Sequence, residues 1–351
     1  MVSTERSLVS PLNENYLNGN DNSNLGVTSE VSSREVVYRY LGTTDLSPEQ
    51  IATTRESYQA SAEIYSRSEW DPTAIKGMWE AIFNDYQDII LYLPPDAKIL
   101  LTGVGTSRDL IFLALLRGDL KVIGSDISPG MLAVGQEHIN WENIELLAKI
   151  IKEVSDIASQ QGSPVFMINE VIEIIDRLDN LVKATDNQGN GKSVVNTDKI
   201  LGTIHDRTFL IQEDIRRLSY PSECFDLAMA IGVLPHLKKD QVLPTLVEQL
   251  RVLRPGSILH CNLRADVERY ESTQEGRTFM DTAMGGERFF TTYTLSEVVA
   301  LVAELKAWFV MQGFPEVEVT IVETLTSHPD SHKPPFINIK IVKNHSNFLT
   351  V

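Results

Sequence analysis

Two glycines and an aspartate offer the first chemistry in this chain. Gly103-Val104-Gly105-Thr106-Ser107 interrupts a short β-rich apolar run, Lys98–Thr102, and an apolar helix-like segment, Arg108–Arg117, follows. A glycine turn between strand and helix points backbone N–H groups at a nucleotide-like ligand. Gly118 closes the helix, and Lys121–Gly124 begins a second strand that ends at Asp126. An acidic residue about 20 positions beyond the glycines suits a pair of ribose hydroxyls. His236 follows the apolar run Phe225–Ala230, at the carboxyl edge where open α/β sheets bind ligands. An imidazole there is a candidate general base toward a phenol, carboxylic acid or amine; otherwise it packs on a cofactor or caps the next helix.

Composition narrows the partners. The chain has 351 residues, 42% hydrophobic and 23% charged, with a formal net charge of −17. Nucleic-acid binding rests on a Lys/Arg excess, so a nucleic-acid partner is not expected. The same sign argues against an anionic membrane surface. No 18-residue apolar run and no basic-then-apolar leader occur, so neither a membrane span nor a secretory signal is expected. Cys224 and Cys261 are too few for a disulfide framework. His205, His260, His328 and His332 lack metal-ligand spacing, and no structural metal is expected. The expectation is a cytoplasmic enzyme with a small-molecule substrate.

The elements that position these residues are legible in order. Residues 1–33 are rich in Ser, Asn, Thr and Gly without a period, and read as a disordered tail. Residues 34–93 form a helical cap. Ser47-Pro48 opens a helix to Ser68 carrying Tyr58 and Tyr65 on one face, either as core aromatics or as a pocket lid; Asp71-Pro72 opens another, with Trp79, ended by Pro94-Pro95. Trp70 and Trp79 read as core residues before pocket residues. Residues 94–140 and 206–345 form an α/β core, with buried strands at Thr208–Gln212, Phe225–Ala230 and Ser257–Leu263. Arg254-Pro255-Gly256 reads as the turn before the last of these. Helices are expected over Asp240–Leu253 and Thr294–Gln312. Val317–Glu323 and Phe336–Val342 alternate with no helix between them, which predicts an antiparallel hairpin at one sheet edge.

Between the halves of the core, residues 141–205 read as a helical insertion. Trp141–Ile157 and Val165–Val182 are amphipathic, and Asp186–Asp198 is a polar link. The apolar stripes must be buried against something: the active site, a second copy in a homodimer, or the fold itself.

A dinucleotide fingerprint needs a third glycine where Arg108 stands, and no Gly-Lys-Ser/Thr follows for a P-loop. The chain instead resembles the class I S-adenosylmethionine-dependent methyltransferases, in particular the small-molecule branch similar to the ubiquinone/menaquinone C-methylases. The resemblance covers about Glu56–Asp126 and Arg207–Lys343. ILLTGVGTS, SDISPGML, EDIRRLSYPSECFDLAMA, IGVLPHL and LRVLRPGSILH carry it, in that order. Thr102 stands where the family has an acidic residue, and Ser107 where it has a glycine.

The resemblance implies a doubly wound, mostly parallel seven-stranded sheet with an antiparallel C-terminal hairpin. It implies S-adenosyl-L-methionine as cofactor and in-line methyl transfer to O, N or C of a small metabolite. The competing reading is a non-catalytic cofactor-binding scaffold that uses the insertion as a protein interface. Implied cofactor contacts are Tyr65, Thr102, Gly103, Gly105, Ser107, Asp126, Ile127, Met131, Ile231 and Gly232, with Asp214 at the adenine amino group and Ile215 against the ring. Beyond the fifth strand lie Asn262, Arg264, Arg269, Tyr270, Glu271, Glu287 and Arg288, in a polar, aromatic stretch that reads as a substrate loop. Tyr58, Arg264, Tyr270 and Arg288 are the substrate-side candidates.

Overall fold

The first described element is a single long helix. The computed structural model describes residues 48–76, 89–90, 92–160, 197–265, 277–281, 286–314, 317–324 and 336–344. Helix α1 is Pro48–Glu69. Strand β1 (Lys98–Thr102) leads through the glycine turn into α2 (Arg108–Leu116), then β2 (Lys121–Asp126). Helices α3 (Pro129–His138), α4 (Trp141–Gln160) and α5 (Thr197–His205) precede β3 (Thr208–Gln212). Strand β4 (Phe225–Ala230) leads into a 3₁₀ turn, Leu234–His236, and α6 (Lys239–Val252). Strand β5 (Leu253–Ala265), the hairpin β6 (Arg277–Asp281) and β7 (Gly286–Phe290), and β8 (Thr292–Tyr293) follow. Helix α7 (Leu295–Met311), β9 (Glu318–Thr324) and β10 (Phe336–Val342) complete the described elements.

The sheet order is β3-β2-β1-β4-β5-β10-β9, with the two-residue β8 beside β5. Strands β1 to β5 are parallel, while β10 runs antiparallel to both β5 and β9. This is the seven-stranded, doubly wound arrangement with a C-terminal hairpin that the sequence implied. Order reverses between β1 and β4, and the carboxyl ends of such a switch point are where open sheets bind ligands.

Helix α2 shows why the sheet can be parallel. Every side chain from Leu110 to Leu116 is buried, as a helix sandwiched between sheet and outer helices requires. Helix α4 supplies that outer layer: Ile144, Leu147 and Ile151 are buried in the same cluster as Ile99, Leu110 and Leu115. Exposing those three side chains would cost about 1.5–3 kcal/mol each. The sum is on the scale of a whole domain's stability, about 5–15 kcal/mol. Helix α4 is therefore part of the fixed body, and its stripe is consumed within the chain rather than held for a second copy.

Two local readings change. Arg254-Pro255-Gly256 is not a turn; β5 starts at Leu253 and carries an irregularity, because Phe225 pairs with Leu253 whereas Leu227 pairs with Ile258. Pro255 has no N–H to give the ladder, and Gly256 takes a left-handed φ of 83°, so the intervening residues bulge out of register. Helix α5, with Ile204 buried in the core, falls partly in what read as a polar link. The tail 1–33, Trp79, the Val165–Val182 helix, Arg269, Tyr270 and Glu271 lie outside the described residues. Both cysteines are buried free thiols. Among the described residues, no helix is long and apolar enough to cross a membrane, and no group of three His, Cys, Asp or Glu side chains is placed to hold a metal.

Candidate functional site

The glycine turn is a close approach between strands as well as a turn. Gly103 has φ 69°, and a Cβ there would lie 2.7 Å from Cβ of Val233, just past β4. Only glycine fits both constraints. The next residues fold back on β2, with Val104 N–H donating to the Ser125 carbonyl at 2.9 Å. Asp126 then accepts the Gly105 N–H at Oδ2 (3.0 Å) and the Ser128 N–H at Oδ1 (2.9 Å). Burial raises its pKa to about 6 against these two bonds, which lower it. A carboxylate offers about four lone-pair sites, so Asp126 retains acceptors beyond those two.

Asp214, in the segment after β3, is gripped by one residue. Arg216 donates to Oδ1 from its backbone N (3.0 Å) and Nε (2.8 Å), and to Oδ2 from Nη2. Oδ1 is saturated, and Oδ2 keeps one lone pair for another donor. Ile215 and Arg216 wall the same cavity as Asp214.

Helix α1 roofs the site with one face. Thr54, Tyr58, Tyr65 and Glu69 recur at helical spacing, and all four line the cavity. At its C-terminal end Glu69 accepts from Thr106 Oγ1 at 2.7 Å and lies 3.8 Å from Arg108 Nη1. Burial would lower the Arg108 pKa, but Asp109 and Glu69 hold it above the usual range. Tyr65 is pushed well above an ordinary phenol by burial and by Glu69. Trp70 points the other way: its Nε1 donates to Thr106 Oγ1 at 3.1 Å and its ring stacks on His138 at 4.9 Å. It is a core residue.

At the other end, the 3₁₀ turn after β4 aims His236 at α1. His236 Nε2 is 2.7 Å from the Tyr58 hydroxyl, and Nδ1 is 2.8 Å from the Phe289 carbonyl on β7. The Phe290 ring packs against the imidazole at 4.5 Å. The turn before His236 is anchored by Asn262 on β5, whose Oδ1 accepts the Gly232 N–H at 2.8 Å.

One cavity of about 220 Å³ gathers these groups at the carboxyl ends of β1, β2 and β4. Of the sequence-implied cofactor contacts, Tyr65, Gly103, Gly105, Asp126, Ile127, Met131, Asp214, Ile215, Ile231 and Gly232 line it, as do Tyr58 and His236. Thr102 and Ser107 are not in its wall. The Thr102 hydroxyl donates to the Met229 carbonyl at 3.2 Å and ties β1 to β4. Ser107, with φ 68°, is fully buried against α3, where a Cβ added to Gly135 would fall on its Oγ. Arg264 is also absent from the wall; its guanidinium lies 4.6 Å over the Phe290 ring. The Arg288 backbone lies on β7 opposite Phe279.

Thr54, Glu69 and Arg108 were missed by sequence reasoning. Arg108 registered only as a failed glycine. Glu69 follows Tyr65 by one helical turn, a spacing that would have found it.

An open sheet with a cavity at its switch point, a glycine turn after β1 and acids after β2 and β3 defines a nucleotide-cofactor-binding α/β protein. Residues 174–261 match the family model for a methyltransferase domain. That match is to an enzyme domain; it spans α5, β3, β4 and α6 and includes Asp214 and His236, while the glycine turn lies upstream of it. Among curated proteins, none matches the chain. In fold, the chain is similar to the DhpI–SAH complex, at 13% identity and a TM-score of 0.48 over 84% of this chain and 97% of that one. It is also similar to a SAM-dependent methyltransferase of Methanosarcina mazei (18% identity, TM-score 0.41, 74% and 99% covered). A third likeness is to the Burkholderia thailandensis 1,6-didemethyltoxoflavin-N1-methyltransferase with 1,6-didemethyltoxoflavin and S-adenosylhomocysteine bound (15% identity, TM-score 0.44, 85% and 90% covered).

Proposed function

We propose that this protein is an S-adenosylmethionine-dependent methyltransferase acting on O, N or C of a small metabolite, of the kind the ubiquinone/menaquinone C-methylases exemplify. The observation that carries the reading is the convergence of the glycine turn, Asp126 and Asp214 on one cavity with the Tyr58–His236 pair. The residues suit the group. Asp126 keeps acceptor sites for two ribose hydroxyls, and Asp214 keeps one for an exocyclic amine. S-adenosylmethionine, as co-substrate, supplies an electrophilic methyl on a sulfonium. The chain's own residues bind it, orient the acceptor and manage the acceptor's proton. A net charge of −17 supports a small metabolite over a nucleic acid. The Tyr58–His236 pair supports catalysis over a purely binding role.

Calorimetric titration with S-adenosylhomocysteine and with NAD tests this directly. Saturable binding of the first and none of the second is expected. Asp126→Ala removes two charge-assisted hydrogen bonds, each about 1.5–3 kcal/mol, and is expected to weaken binding by roughly 100-fold or more. A wild-type chain that ignores S-adenosylhomocysteine would sink the reading.

A further inference from the structure

Three side chains of α6 hold the segment between β3 and β4 that carries Asp214. Gln249 Nε2 donates to the Ile215 carbonyl at 3.2 Å. Glu248 Oε1 accepts the Leu218 N–H at 2.8 Å. Arg251 donates to the Leu218 carbonyl from Nη2 (3.2 Å) and to the Tyr220 carbonyl from Nη1 (2.9 Å). Within the segment, the Arg217 N–H donates to the Asp214 carbonyl at 2.9 Å. The main chain beyond that turn is bonded to the side chains of a helix that follows the next strand.

Stability alone does not account for these residue types. Glu248 and Arg251 are 1% and 8% exposed, and they pair with each other, Nε to Oε2 and Nη2 to Oε1, both at 2.8 Å. A buried ion pair recovers little of the hydration it gives up, and apolar side chains of similar volume often serve stability as well or better. What the pair offers instead is an acceptor and several donors with fixed directions. Gln249 repeats the pattern. It is wholly buried, and its Oε1 has no hydrogen-bond partner, a cost that a methionine in its place would not carry. Its amide nitrogen goes to the Ile215 carbonyl, in the residue next to Asp214.

We propose that Glu248, Gln249 and Arg251 are positioning residues for the cofactor's base: they pin the segment so that Asp214 faces the cavity before ligand arrives, and so select a purine with an exocyclic amine. This rests on the methyltransferase reading. Asp214 and Ile215 line the cavity, and none of the three α6 residues does; they act through Asp214. The acceptor that Asp214 retains at Oδ2 discriminates only when it is held within about 0.5 Å of the productive position. A segment pinned beforehand gives up little conformational freedom on binding. Released from Gln249, the Ile215 carbonyl can turn to water in the cavity, and Asp214 is displaced with it.

The test uses the full chain and calorimetry with two probes, S-adenosylhomocysteine and its analogue with unsubstituted purine in place of adenine. The wild-type chain is expected to prefer adenine about tenfold or more, and Asp214→Ala to abolish the preference. Equal binding of both probes by the wild-type chain overturns the selectivity. Gln249→Met keeps the shape and removes the donor. It is expected to leave the urea midpoint within about 0.5 M of wild type and to cut the preference for adenine about threefold or more. In the Asp214→Ala background, the same substitution is expected to leave the affinity ratio unchanged. A large fall in the urea midpoint, an unaltered preference, or an equal loss of affinity for both probes would make the role of α6 structural only and overturn the proposal. A further change of the ratio without Asp214 overturns it too. Amide hydrogen exchange on the ligand-free wild-type chain needs no variant. The Leu218 N–H, bonded to Glu248, is expected to exchange roughly 100-fold or more slower than an open amide, and free exchange there overturns the pinned segment. A wild-type chain that binds neither probe removes the methyltransferase reading, with the Leu218 amide still judging the hold on the segment.

Discussion

The two ends of the cavity are built from different materials. The end beside β1 and β2 rests on main chain, with a glycine turn, the amides that Asp126 holds and strand termini in fixed register, and α1 adds the Glu69 side chain over it. The end beside β4 is made of side chains brought from distant parts of the chain, with Tyr58 on α1 meeting His236 across 178 residues of sequence. The first end is fixed by short-range geometry. The second exists only when α1, the turn after β4 and the β6–β7 hairpin are all in place. A site of this design can keep one ligand constant while its other ligand changes.

The contrast breaks most sharply at Gly103. Replacing it with Ala imposes a left-handed φ on a residue with a Cβ, at about 1–2 kcal/mol, and drives that carbon into Val233. Overpacking adds about 1–3 kcal/mol. Urea denaturation is expected to show a loss of about 2–5 kcal/mol, whereas Tyr58→Phe is expected to lose under 1 kcal/mol. Equal losses would mean that both ends are equally structural.

Acidity sharpens the comparison next. The folded pKa of Asp126 is raised to about 6, above the ordinary carboxyl value. A raised carboxyl favours the protonated folded state, so ligand-free stability is expected to fall as pH rises through roughly 4–6 and then level off. Binding through the ionised form runs the other way. S-adenosylhomocysteine affinity is expected to rise about tenfold from pH 5 to pH 7. Asp126→Asn should flatten that profile, and a slope that survives the substitution would assign the titration to another group.

The smallest effect concerns the exchange between Ser107 and Gly135. Ser107 adopts a left-handed conformation that costs a non-glycine residue about 1–2 kcal/mol, and its side chain fills the space where a Cβ on Gly135 would be. Gly135→Ala alone is expected to destabilise the protein by about 1–3 kcal/mol. Adding Ser107→Gly is expected to recover most of that, giving a coupling of about 1 kcal/mol or more. Additive losses would show that the two positions are independent.

This division also explains what the sequence made legible. The glycine turn, Asp126 and the final hairpin are local patterns, and each lies where its pattern placed it. Glu69 and Arg108 escaped because their role arises from the meeting of α1 with the turn, which no window of sequence contains. The β5 bulge escaped because Pro255-Gly256 has the composition of a turn, and only the pairing of Leu253 and Ile258 with β4 on either side of it makes it part of a strand. Helix α4 was legible as amphipathic, but its partner, α2, was not.

The atom that orients His236 belongs to the main chain of Phe289. A carbonyl cannot be mutated away, so any residue at 289 that leaves β7 in position preserves the same imidazole tautomer. Thr54, Val233 and Leu237, which line the same cavity, present side chains to it. Substitutions in the cavity wall can therefore change what the cavity admits while the imidazole keeps its orientation.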